Sequence, residues 1–147
     1  YTLSLHDALP ISRAVIDSNV LVASRKSRSG ASHRLLSDYF QHPGAWDWMI
    51  STAVLLEYEE QLSRLRVPRP DIEIFLDDLA ASAVPVRIPF RLRPFLHDPD
   101  DDFIAELAVA SGAGVIVTFN TRNFRMARLL GIGIETPAEF LYSLNVP

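Results

Sequence analysis

Two short apolar runs, far apart in the chain, restrict its architecture more than any other feature. Arg13-Ala-Val-Ile-Asp17 and Val115-Ile-Val-Thr118 each carry adjacent β-branched residues and end on a polar side chain. Runs of this length that are apolar throughout read as strands buried on both faces, the environment of a parallel sheet covered by helices. Trp48–Ile50, Val84–Ile88 and Ile132–Ile134 are further strand candidates, the second weakened by Pro85. Helical spacing of apolar residues appears between them: Leu35, Leu36, Tyr39 and Phe40 within Ala31–Gln41; Leu55, Leu56, Tyr58, Leu62 and Leu65 after a cap at Ser51 or Thr52; and Ile72, Phe75, Leu76 and Leu79 within Asp71–Ala83. Pro68 and Pro70 separate the last two. Asp98-Pro99 opens a helix that continues to about Ser111 and stops at Gly112. Asn120–Leu130 reads as a turn and short helix, and Pro137 starts a terminal helix. Ser24–Ser32, polar and basic, reads as a loop. Strands alternating with helices predict an α/β fold: three layers with a mainly parallel central sheet, in one domain.

The first residues stand outside this pattern. Tyr1–Ile11 matches, codon for codon, one reading frame of a common sequencing adapter. We therefore expect residues 1–11 to be a non-native segment and residues 12–147 to form the domain. His6 and Asp7 then carry no functional weight.

Composition excludes several kinds of chemistry. The chain has 147 residues and no cysteine, which rules out disulfides, thiolate metal sites and cysteine nucleophiles, and suits a reducing cytosol. No apolar run is long enough to span a bilayer, so no membrane association is expected. The net charge of −4 argues against a uniformly basic nucleic-acid binder but not against local basic patches. Of the 14 basic residues all but Lys26 are arginine, and they cluster at Arg25, Lys26 and Arg28, at Arg64, Arg66 and Arg69, at Arg87, Arg91 and Arg93, and at Arg122, Arg125 and Arg128. Such clusters are either solvated surface or a phosphate-contacting rim. Arg25, Lys26, Arg28 and Arg122 are the candidate substrate contacts.

Four carboxylate or amide side chains fall at the edges of apolar segments: Asp17, Glu57, Asp102 and Asn120. An open α/β sheet binds ligands beyond the carboxyl ends of its strands, and the expected elements bring all four to that edge. Carboxylates gathered there repel one another unless a cation joins them, which predicts a divalent metal site. Hard oxygen ligands favour Mg2+ or Mn2+. Asp101 and Glu106 are additional candidate ligands, Glu106 because it follows Asp102 by one helical turn. Ser18, Asn19 and Thr118 are candidate supporting residues: the first two for the loop after the strand, Thr118 to orient an acid through its hydroxyl. His97 adjoins the acidic run and reads as a surface residue, and Trp46 and Trp48 read as core or interface.

The order Asp17-Ser-Asn19, Leu56-Glu57-Tyr58, Asp98-Pro-Asp-Asp-Asp102 and Val117-Thr118-Phe-Asn120 resembles the successive signatures of PIN-domain ribonucleases, and within them the toxin (VapC-like) components of bacterial toxin–antitoxin systems. The resemblance extends over about Arg13 to Leu144 and includes the ending Thr136-Pro-Ala-Glu-Phe-Leu141. It implies Mg2+- or Mn2+-dependent cleavage of RNA in the cytoplasm, with a cognate antitoxin as partner and a second copy of the chain as a candidate partner. Carried over by position, Asp17, Glu57 and Asp102 match the three central acids as catalytic metal ligands. Asn120 falls where the family usually has a fourth acid, and an amide there can bind a hard cation but adds no charge.

Two other readings compete. One is a PIN domain that binds RNA or a protein without cutting, which Asn120 allows. The other is an aspartyl-phosphate phosphatase with Asp17 as nucleophile. That chemistry expects an aspartate two residues on, where this chain has Asn19, and a lysine after the final strand, which is missing.

Overall fold

The computed structural model describes residues 11–91, 95–96 and 98–144. Tyr1–Pro10, Arg93 and His97 lie outside the described residues, so the expectation that the first segment stands apart from the fold has no structural counterpart here.

Among the described residues five strands form one sheet in the order β3-β2-β1-β4-β5, every neighbouring pair parallel: β1 (Arg13–Ile16), β2 (Asp47–Ile50), β3 (Val84–Pro85), β4 (Val115–Val117) and β5 (Gly133–Glu135). The two runs that dominate the sequence, β1 and β4, are the central pair, with Ala14 opposite Val115 and Ile16 opposite Val117. Their apolar side chains are buried on both faces, as their composition requires. β3 is only two residues long and lies at the edge, where Pro85 costs little because no strand lies beyond it to need its missing N–H.

Among the described residues six helices cover the sheet: α1 (Ser18–Lys26), α2 (Ala31–Gln41), α3 (Thr52–Arg64), α4 (Arg69–Ser82), α5 (Asp102–Ser111) and α6 (Pro137–Ser143). The Ser51 hydroxyl caps α3 by accepting from the N–H of Val54 at 3.2 Å. Thr136 and Glu139 form a reciprocal capping box on α6. Gly112 and Gly131, at φ of 69° and 79°, close α5 and the 3-10 turn Arg125–Leu130 in the left-handed conformation that side chains disfavour.

Three helix boundaries differ from the sequence reading. Residues up to Lys26, expected to be loop from Ser24, belong to α1, which buries Val20, Leu21 and Ser24 and ends on Arg25 and Lys26. Those cations suit the negative end of the helix, so a stretch that looks like loop by polarity is helix by charge placement. Pro70 does not stop a helix but sits in the first turn of α4. Asp98-Pro99 opens a short 3-10 turn, Pro99–Asp101, and the α-helix proper begins at Asp102.

The aromatic core lies between α2, α4 and β2. Trp46 and Trp48, two residues apart and so on one face of the chain, stack at 5.7 Å and 19°. Tyr39 packs against both, and Phe140 of α6 meets Trp46 edge-on. Both tryptophans are fully buried, in agreement with the core reading.

Candidate active site

Asp17 follows β1 directly and caps α1 with extended backbone. Its N–H continues the ladder to the carbonyl of Val117 at 2.9 Å, which fixes the residue to the sheet. The carboxylate is nearly buried, and its Oδ2 accepts from the Thr118 hydroxyl at 2.8 Å. That hydroxyl in turn accepts from the Asn19 amide at 3.3 Å and from the N–H of Asn120 at 2.9 Å. With its lone pairs facing donors, its one proton is directed at Asp17. Asn19 also accepts from the N–H of Phe119 at 3.4 Å, so it ties the loop after β4 to the start of α1. Thr118 therefore orients an acid, and Asn19 holds backbone.

Glu57 reaches the same edge from α3. Its Oε2 accepts from the Ser18 hydroxyl and from the Gln61 amide, each at 3.3 Å. The next residue explains how α3 is held: the hydroxyl of Tyr58, fully buried, donates to the carbonyl of Ile16 and accepts from Trp48 Nε1 at 3.1 Å. The strand end that presents Asp17 and the helix that presents Glu57 are thus locked by one phenol.

Two of the sequence candidates, Asp101 and Asp102, are neighbours that the structure places in different surroundings. Asp102 points into the core with no exposure, where Oδ1 and Oδ2 accept the N–H groups of Leu96 at 2.7 Å and Phe95 at 2.9 Å. A buried carboxylate that accepts a backbone N–H on each oxygen anchors a loop, with one lone pair left on each oxygen. Asp101, one residue earlier, is half-buried and held by the Asn123 amide, which donates to Oδ2 at 2.8 Å.

Proton affinities report this proximity. Asp101 is raised to about 6, first by burial and then by repulsion from Asp17, Asp98, Glu57 and Asp100. Asp17 and Glu57 are also raised, mainly by burial, with Thr118 opposing the shift in the first and Gln61 and Ser18 in the second. Among the described residues no group of three such side chains is drawn tightly enough, as it stands, to hold a metal ion. The donor set is nevertheless all oxygen and mutually repelling, the character of a site that a hard cation would draw together.

The sequence matches the PIN-domain family over residues 13–122. The chain belongs to the PIN-domain family. PIN domains are nucleases, and the carboxylate edge just described is where this one has its acids. A search of curated proteins by sequence returns no match. In three dimensions this PIN domain is similar to a chain in the crystal structure of VapBC2 from Rickettsia felis bound to a DNA fragment from their promoter. The TM-score is 0.57 at 17% identity, covering 84% of this chain and 98% of that one. At that identity the likeness is one of fold.

The remaining sequence candidates lie at this edge and beyond it. Asn120 is exposed, and its N–H donates to the Thr118 hydroxyl that holds Asp17. Glu106 is buried and lines a cavity beside Ser51 and Phe103. Arg122 is exposed in the turn between Asn120 and Asn123. Arg25, Lys26 and Arg28 are exposed at the far end of the nine-residue α1, about 12 Å of helix axis from Asp17.

Asn123 is the site residue that sequence reasoning missed. It is buried, its Oδ1 accepts the N–H of Asp98 at 2.8 Å, and its amide holds Asp101. The only signal was an asparagine in a polar turn directly before a buried phenylalanine, Phe124.

Proposed function

We propose that this PIN domain is a metal-dependent endoribonuclease and the toxin of a toxin–antitoxin pair. The observation that supports the reading is the placement of Asp17 and Glu57, bridged through Ser18, at the strands' carboxyl edge, with Asp101 on a third element feeling the charge of both. These residues would hold Mg2+ or Mn2+, which when bound supplies Lewis acidity toward a phosphodiester and lowers the pKa of a water.

The rest of the chemistry falls to the chain. Thr118 keeps one Asp17 oxygen oriented, and Ser18 and Gln61 do the same for Glu57. Asn123 aims Asp101. Arg122 at the rim is suited to a phosphate of the RNA backbone. Asp17→Asn should abolish Mg2+- or Mn2+-dependent cleavage of an RNA oligonucleotide while the far-ultraviolet dichroism stays native, since the shape is kept and the charge removed. Undiminished cleavage by a nuclease-free preparation of that variant would overturn the reading.

The partner reading has its own support. A groove of about 540 Å3 between α1, α2 and α4 has an apolar floor that includes Leu21, Leu36 and Phe75, with Arg25 and Arg28 on its rim. Those surfaces suit an acidic amphipathic segment of an antitoxin. The product of an adjacent open reading frame should bind this chain, and Phe40→Asp at the groove wall should prevent it.

A further inference from the structure

A second cavity opens at the sheet's carboxyl edge, beside the ends of β2 and β3. It measures about 300 Å3 and is lined by Ala53, Arg87, Phe90, Arg91, Phe103 and Glu106, among others. Its position is set by the same helices that carry the acids. Ala53 precedes Glu57 by four residues on α3, which puts the two on one helix face about 6 Å apart. Phe103 follows Asp101 by two residues at the start of α5. The cavity is walled by the same two helices that carry the acids and differs from the carboxylate cluster in chemistry, with two guanidinium groups and two half-buried aromatic rings beside one acid, Glu106.

Resting on the ribonuclease reading, we propose that this cavity receives the nucleoside adjacent to the scissile phosphate. Arg87 and Arg91 bind its backbone phosphate, and Phe90 and Phe103 contact its base. The carboxylate cluster repels every phosphate except one that a metal draws in, so a strand crossing this edge needs cationic support close by. Arginine supplies it in the forked geometry that phosphate accepts. Aromatic faces take any base by stacking, which is the usual way a single strand is held. The volume lies at the lower end for small-ligand sites, so it suits one nucleotide and excludes a duplex.

The test separates the pocket from the catalysis. With no divalent metal present, uridine and adenosine 5′-monophosphates are titrated into the full chain while the backbone amide shifts of Thr52, Ala53 and Ile88 are followed. Saturable shifts are expected that inorganic phosphate at equal concentration does not reproduce. They should vanish in Arg87→Ala/Arg91→Ala and in Ala53→Trp, which fills the cavity from an exposed helix position without touching its charge. In kinetics, kcat/KM for an RNA oligonucleotide relative to that for bis(p-nitrophenyl) phosphate, a diester with no nucleoside, should fall about tenfold or more in both variants. Nucleotide shifts in a chain that cuts no phosphodiester would sink the ribonuclease reading and leave the pocket standing. Shifts reproduced by phosphate alone, or an unchanged kinetic ratio in Ala53→Trp, would overturn the nucleoside pocket.

Discussion

Asp101 and Asp102 are neighbours of the same type with different hydrogen-bond partners, and substituting each by asparagine tests whether their work differs. At 102 both carboxylate oxygens accept buried backbone N–H groups. Asp102→Asn keeps one acceptor, turns an NH2 group toward the other N–H, and removes the charge that strengthened both bonds. A charge-assisted hydrogen bond contributes about 1.5–3 kcal/mol, and a buried donor left without an acceptor costs about 1–3 kcal/mol. We expect a loss of roughly 2–4 kcal/mol, which for a domain of this size lowers Tm by about 7–14 °C. Asp101→Asn should do the reverse. The site is half-exposed, the replaced group was repelled by Asp17 and Glu57, and the Asn123 amide still finds an acceptor oxygen. Its Tm in metal-free buffer at pH 7 should match or exceed that of the wild type, while Mn2+ affinity by calorimetry drops at least tenfold through loss of an anionic ligand. Thermal melts followed by circular dichroism, with and without Mn2+, read both effects. An Asp102→Asn protein that melts with the wild type and loses Mn2+ would refute the assignment.

Other outcomes follow from the same contacts. Tyr58→Phe leaves the buried Ile16 carbonyl and Trp48 Nε1 without their shared partner and should cost about 1–3 kcal/mol by urea denaturation; a neutral result would mean that the phenol does not lock β1 to α3. Asp101 holds its proton to about pH 6 in the folded chain but only to about 3.8 when unfolded, so between those values the folded state binds more protons. Its contribution to metal-free stability is full below pH 3.8 and is lost as pH rises through 6; the Tm advantage of Asp101→Asn over wild type should therefore grow across that window, and a pH-independent difference would contradict it. Metal competes with that proton, so Mn2+ affinity should climb between about pH 5 and pH 7 with proton release on binding, detectable as a buffer-dependent heat. Asn120→Asp adds an anionic oxygen at the rim and should raise Mn2+ affinity modestly; a variant that converts an inert protein into an active nuclease would instead mark the present site as degenerate.

How far the fold can be read from the chain depends on whether burial or charge decides an element. β1 and β4 are legible because both faces are buried, so every residue but the leading Arg13 is apolar. Asp17 is legible for the same reason, as an acid that closes such a run. α1 is not, because a helix with one narrow buried face and a basic end has the composition of a loop. The edge strand β3 is overestimated since apolar residues after Pro85 continue the strand signal, while backbone pairing stops shortly beyond it, with Val86 bonded to Ile50.

The site shows a sharper limit. In Asp98-Pro-Asp-Asp-Asp102 composition cannot say which acid faces the edge, because consecutive residues around a helix start are separated by about 100° and the start itself moves by a residue or two. What decides the matter is the 3-10 turn at Pro99–Asp101, which delays the α-helix until Asp102 and rotates that side chain toward the N–H groups of Phe95 and Leu96. Those donors lie in a segment whose path the sequence does not specify. Asn123 escapes notice for a related reason, since its importance comes from two partners more than twenty residues away in the chain, Asp98 and Asp101. An acid that carries chemistry and an acid that carries structure are therefore indistinguishable until their hydrogen-bond partners are known. The number of backbone N–H groups each one satisfies is the measure that separates them: two for Asp102, and for Asp101 a side-chain amide with an oxygen to spare.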